Sequence, residues 1–160
     1  MPGRDCFVAG RDAGTGEGGG KVLVAPLGIF GVLCNQREMV RMRAEIERHV
    51  GTIAPSERGV IANYLRSSPI VIALMEQTFD VLENKFSAPG GSAIHSDGSF
   101  YWRGDAANYV FHYGVALPPD FLLVGRDRSW VPPSLSRTEV LTIDDYLAAN
   151  IRRGMVPKDG

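Results

Sequence analysis

Apolar positions recur along the chain in two periods, and these divide it into helical and extended stretches. Met39, Met42, Ile46 and Val50 fall at three- and four-residue intervals, the stripe of a helix predicted from Asn35 to Val50. Asn35 and Glu38 have the spacing of an N-cap and its capping-box partner, Arg41 and Glu45 are spaced to pair on the wet face, and Gly51 is the stop. A shorter helix opens at Pro55, Ser56 and Glu57, turns Val60, Ile61, Tyr64 and Leu65 one way, and ends at Ser67, Ser68 and Pro69. Between Asp105 as cap and Gly114 as left-handed stop, Tyr109, Val110 and Tyr113 share a helical face. Pro118, Pro119 and Asp120 start another helical turn through Phe121 and Leu122. Trp130, Pro132 and Pro133 read as a rigid connector, and Thr142 and Asp145 open a last helix stopped by Gly154.

The extended stretches are short. Val22 to Ala25 and Ile29 to Leu33 are rich in β-branched and aliphatic residues and are broken by Pro26 and Gly28. Ile70 to Leu74 has the composition of a buried strand, whereas Phe79 to Phe86 fits neither period. Ser92 to His95 and Ser99 to Arg103 flank Ser96, Asp97 and Gly98. Asp-Gly accepts the positive φ of a tight turn, so this is a predicted hairpin whose second strand carries Phe100, Tyr101 and Trp102. Helices and strands do not alternate strictly, which predicts an α+β fold: a small mixed or antiparallel sheet with the Asp-Gly hairpin, packed against several short helices. Residues 1–20, with seven glycines among small and charged residues, read as a flexible tail, residues 21–154 as one domain, and residues 155–160 as a frayed end.

Composition narrows the classes. With 44% apolar and 22% charged residues the chain has the make-up of an ordinary globular protein. Seventeen basic residues against eighteen acidic ones give a net charge of −1, which disfavours nucleic acid and anionic membrane as partners. Arg37, Arg41, Arg43 and Arg48 on the first helix are answered by Glu38, Glu45 and Glu47, so that helix reads as a solvated face. The longest apolar stretch, Val22 to Cys34, falls short of the roughly 20 residues a membrane-spanning helix takes. Charges scattered from Arg4 to Glu17 do not make a secretory signal. Cys6 and Cys34 lack disulfide or zinc spacing and are expected as free thiols, so a cytoplasmic protein is expected.

Candidate chemistry is sparse. Gly14, Gly16 and Gly19 match a dinucleotide-loop pattern, but no strand precedes them and no helix follows, so no cofactor is expected. His49, His95 and His112 stand in no metal-binding arrangement, and no serine occupies a Gly-x-Ser-x-Gly elbow. Arg103, Gly104 and Asp105 spell an adhesion tripeptide that carries no weight in such a chain. His95 and Asp97, beside the turn, are the cheapest candidates for a general base and its orienting carboxylate. With His112 they define the alternative reading, a small hydrolase or transferase, although a turn recruits aspartate for its geometry alone. The aromatics of the second half read mainly as core. Those with a polar handle also suit the energetic centre of a protein interface, with Asp97, Arg103 and Asp105 as a charged rim.

Read as one block, the run from Asp97 to Asp105, with Tyr109, Tyr113 to Val115, Leu117-Pro118 and Asp120 to Leu122, resembles a recurrent module of bacterial immunity proteins from polymorphic toxin systems. The segment from Asp80 to Leu82 fits it loosely. The resemblance implies a small α+β protein whose motif is structural, and an activity of neutralising a cognate toxin by occluding its active cleft. On that reading the chain is a non-enzymatic binding protein with a protein partner. Asp97, Tyr101, Trp102, Arg103 and Asp105 are then the interface candidates, and no catalytic residue or metal ligand is expected.

Overall fold

The computed structural model describes residues 7–8, 23–33 and 36–154, with side chains described for 23–31 and 36–150. In chain order the elements begin with β1 (Phe7–Val8), β2 (Ala25–Pro26), a 3-10 turn over Gly28–Gly31 and β3 (Val32–Leu33). They continue with α1 (Gln36–Arg41), α2 (Arg43–Glu47), α3 (Pro55–Ser67), β4 (Ile70–Ile72), β5 (Thr78–Phe79) and β6 (Ser87–Ala88). Last come β7 (Ile94–Ser96), β8 (Phe100–Arg103), α4 (Ala106–Tyr113), α5 (Pro119–Asp127) and α6 (Arg137–Gly154). The fold is α+β. Its main sheet has four strands in the order β2-β8-β7-β4, with β2 parallel to β8 and the other pairs antiparallel.

The predicted hairpin is the middle of that sheet, with Ile94 opposite Arg103, His95 opposite Trp102 and Ser96 opposite Tyr101. Gly98 takes φ 91°, a conformation that side chains resist. The Asp97 Oδ1 closes the turn by accepting from the backbone N–H groups of Ser99 at 2.9 Å and Phe100 at 2.8 Å. Alternation along β8 then divides the aromatics between two cores, because successive side chains face opposite sides of a sheet. Trp102 enters a large core with Tyr64 and Leu65 of α3, Tyr109 and Val110 of α4, Phe121 of α5, Phe30 and Met39. Tyr101 enters a smaller core with Val24, Val71, Ile94 and, from α6, Ile143 and Leu147. The Trp102 indole N–H donates to the Leu65 carbonyl at 3.1 Å, so its polar edge is satisfied inside.

Several expectations need correcting. Phe7–Val8, placed in the tail, pairs antiparallel with Val32–Leu33, while the rest of residues 1–20 lies outside the described part, as do Cys34, Asn35 and residues 155–160. Ile29 belongs to the 3-10 turn instead of a strand. The first predicted helix is two short ones separated at Met42, with ion pairs Arg43–Glu47 and Arg48–Glu45, and Val50 ends up exposed. Val60, assigned to the buried face of α3, is also exposed. Strand β4 is an edge strand with Ile70 half in solvent, not a strand buried on both faces. The last helix starts at Arg137 because Ser136 and Glu139 form a reciprocal capping box, Ser136 N–H donating to Glu139 Oε1 at 2.8 Å and Glu139 N–H to Ser136 Oγ at 3.0 Å.

Segment 79–86, which fitted neither period, is a loop closed at its base by the two-residue antiparallel ribbon of β5 and β6. It is held by polar contacts. The Asp80 carboxylate accepts from the N–H groups of Leu82 and Lys85, both at 2.7 Å, and from the Tyr113 hydroxyl. The hydroxyls of Tyr109 and Tyr113 accept in turn from the N–H groups of Val81 and Glu83, both at 3.0 Å. Burial, reinforced by the Asp80 hydrogen bond, pushes the Tyr113 phenol up to about 12.

Candidate functional site

The five interface candidates all lie inside. Tyr101 and Trp102 have no exposed surface, and Asp97, Arg103 and Asp105 are each about 1% exposed. The expectation of a charged rim around exposed aromatics is therefore corrected. The physical reason is that β8 is an inner strand with a core on each face, so the aromatics fill interior space and the charges beside them must find partners there.

They find them completely. The Asp97 Oδ2 accepts from the Tyr64 hydroxyl at 2.7 Å and lies 3.2 Å from the Arg128 guanidinium, which also donates to the Tyr64 oxygen at 2.7 Å. Burial first, and then the hydrogen bond to Asp97, push the Tyr64 phenol well above its ordinary range. The Asp105 carboxylate is gripped by Arg103 in a two-point pair, Nε to Oδ1 at 3.1 Å and Nη2 to Oδ2 at 2.8 Å, and accepts from Thr78 Oγ1 at 2.9 Å. Asp105 occupies the N-cap position of α4. Its side chain makes no capping bond, because both oxygens are engaged by Arg103 and Thr78.

The alternative constellation of His95, Asp97 and His112 is not assembled. No hydrogen bond joins His95 to Asp97 among the described residues, and His112 stacks on Phe86, with ring centroids 5.3 Å apart. His95 has a different orienting group: its Nδ1 lies 2.9 Å from the Ser68 carbonyl oxygen. A carbonyl only accepts, so Nδ1 carries the proton and Nε2 bears a free lone pair. Burial pushes the His95 ring below the usual histidine range, opposed in part by the Ser68 bond, so the neutral form dominates at neutral pH.

His95 lines a cavity of about 230 Å³ together with Arg66, Ser87, Ala88, Pro89, Gly90, Gly91, Gly104 and Asn108. Here the sequence candidate His95 meets groups that sequence left unmarked. Gly91 belongs to the wall for a steric reason, since a Cβ there would sit 2.0 Å from Thr78 Oγ1. The segment from 74 to 79 exposes large apolar side chains between polar ones. Leu74, Met75 and Phe79 are exposed, Met75 to 90%, and Phe79 stands opposite the cavity residue Ser87 in the β5–β6 ribbon. The Leu74 carbonyl oxygen lies close to Gly90, 3.6 Å from where a Cβ would be.

Sequence reasoning did not find Arg66, Asn108, Met75 or Phe79. No local signal marks them, since cavity and exposure arise from how β4 to β7 fold back on α3 and α4. Among the described residues no group of three or more histidine, cysteine or acidic side chains is placed to hold a metal ion. Among them also, no helix is long and apolar enough to cross a membrane. Compared with known protein families, curated proteins and solved structures, the chain matches none.

Proposed function

We propose that the chain is a non-enzymatic binding protein, an immunity protein that neutralises a cognate toxin by covering its active cleft. The observation that carries this reading is the exposed apolar run Leu74, Met75 and Phe79. They are three large apolar side chains exposed within six residues, interrupted by the exposed Glu76 and Gln77 and the buried Thr78, on a chain whose described aromatics are otherwise mostly interior. An unbranched methionine adapts to the shape of a partner, and phenylalanine supplies area, while Glu76 favours a toxin surface with a basic residue beside an apolar hollow. The block that resembles immunity proteins supports the same reading in a scaffold role: Asp97 closes the hairpin turn, and Trp102 and Tyr109 fill the large core.

The test is co-expression with the product of the neighbouring gene. The proposal expects protection of the host cell and a complex that survives purification, and it expects Met75→Asp to weaken that complex at least tenfold while leaving the thermal midpoint unchanged. Absence of both protection and complex, or a Met75→Asp complex as tight as the parent's, contradicts it.

A further inference from the structure

We propose that the cavity between α3, α4 and the β7–β8 hairpin is a binding site for a small carboxylate that carries a hydrogen-bond donor on the adjacent carbon, an α-hydroxy or α-amino acid. The inference stands apart from the toxin-binding reading and rests on three residues with polar side chains that line one small space.

The first group is the His95 Nε2. Because Nδ1 is fixed on the Ser68 carbonyl, Nε2 is an acceptor that needs a donor, and among the described residues none reaches it. It lies against Gly104, where a Cβ would stand 3.3 Å away, so the absence of a side chain at 104 leaves the nitrogen open to the cavity. The second group is Arg66 at the end of α3, whose guanidinium enters no ion pair or hydrogen bond among the described residues. Its planar fork matches a carboxylate in two-point geometry, which a point-like ammonium does not. The third is the Asn108 carboxamide on α4, half-buried and likewise without a side-chain partner among the described residues. It can donate to a carboxylate oxygen or accept from a hydroxyl.

These groups define the ligand. Arg66 demands an anion, and the neutral Nε2 demands a donor close to it, which a simple carboxylate such as acetate lacks. The room is that of roughly eight waters at about 30 Å³ each, which suits a metabolite of a few carbons and is smaller than the pockets that hold drug-sized molecules. Ala88, Pro89, Gly90 and Gly91 close the wall with small or rigid residues and offer no competing charge.

The experiment is a long-range proton–nitrogen NMR titration of the histidine rings in the nitrogen-15-labelled full chain. The probes are L-lactate and L-serine, with acetate and methylammonium as controls that each lack one recognised group. The expected result is a saturable shift of the His95 Nε2 resonance with lactate, serine or both, and at least tenfold weaker binding of either control. Whichever of the two probes binds more tightly distinguishes the hydroxy acid from the amino acid. Arg66→Ala is expected to weaken binding at least tenfold. Gly104→Ala, which sets a methyl group against both Nε2 and the Gly90 carbonyl oxygen, is expected to abolish it. Arg66 is exposed, so its variant decides the matter even if Gly104→Ala does not fold. No saturable shift with either probe, equal binding of acetate, or unaltered binding by Arg66→Ala overturns the proposal.

Discussion

At the scale of single residues the most informative feature is the buried pair of Arg103 and Asp105, whose side chains are 2% and 1% exposed and 2.8 Å apart. Two charges withdrawn from water at this depth hold each other neutral, and removing one strands the other. Arg103→Met is therefore expected to destabilise the fold by about 3–5 kcal/mol, with Asp105 left only its Thr78 bond, whereas Arg103→Met with Asp105→Leu recovers much of that loss. Urea unfolding of the two variants checks this, and a single variant within about 1 kcal/mol of the parent contradicts the stabilising role of the buried pair. The residue scale is also where sequence misled most. Arg-Gly-Asp and the neighbouring Tyr101 and Trp102 have the residue types of an interface, and the same types serve as a satisfied interior. Only the presence of a core on each face of β8 distinguishes the two.

At the scale of elements, most of the pattern was legible. The Pro55–Ser67 helix, the hairpin with Asp97 and Gly98 at its turn, and the helix ended by Gly114 at φ 63° follow from local signals of capping, turn chemistry and periodicity. What escaped were elements too short to show a period. The two-residue strands β5 and β6 are fixed by the Asp80 carboxylate and by the Tyr109 and Tyr113 hydroxyls, which are 33 or fewer residues away in sequence but come from another layer of the fold. The start of α6 was missed although Ser136 and Glu139 carry its signal, because Thr142 and Asp145 imitate a start further on. Ser136→Ala is expected to cost about 1 kcal/mol, the usual worth of an N-cap. It should also loosen the first turn of α6, seen as faster amide exchange at Glu139. An unchanged unfolding midpoint and unchanged exchange contradict the capping role.

At the scale of the whole molecule, a mixed sheet of short strands is sandwiched between a large core under α3, α4 and α5 and a smaller one under α6. That arrangement turns the aromatic block inward and leaves Leu74, Met75 and Phe79 exposed, with Phe79 paired to the cavity residue Ser87 and the Leu74 carbonyl oxygen beside the cavity residue Gly90. The candidate site was thus half legible. His95 stood out in the sequence as a histidine beside a turn, but its cavity partners Arg66, Gly104 and Asn108 come from three other elements or joints and share no spacing with it. The central claim is that the block from Asp97 to Asp105 is scaffold and that the proposed toxin partner would meet the surface at residues 74–79. Hydrogen–deuterium exchange of the chain alone and in complex with the proposed toxin partner addresses it most directly. The account predicts new protection across 74–79 with 97–105 already protected and unchanged, whereas protection acquired in 97–105 and none in 74–79 contradicts it.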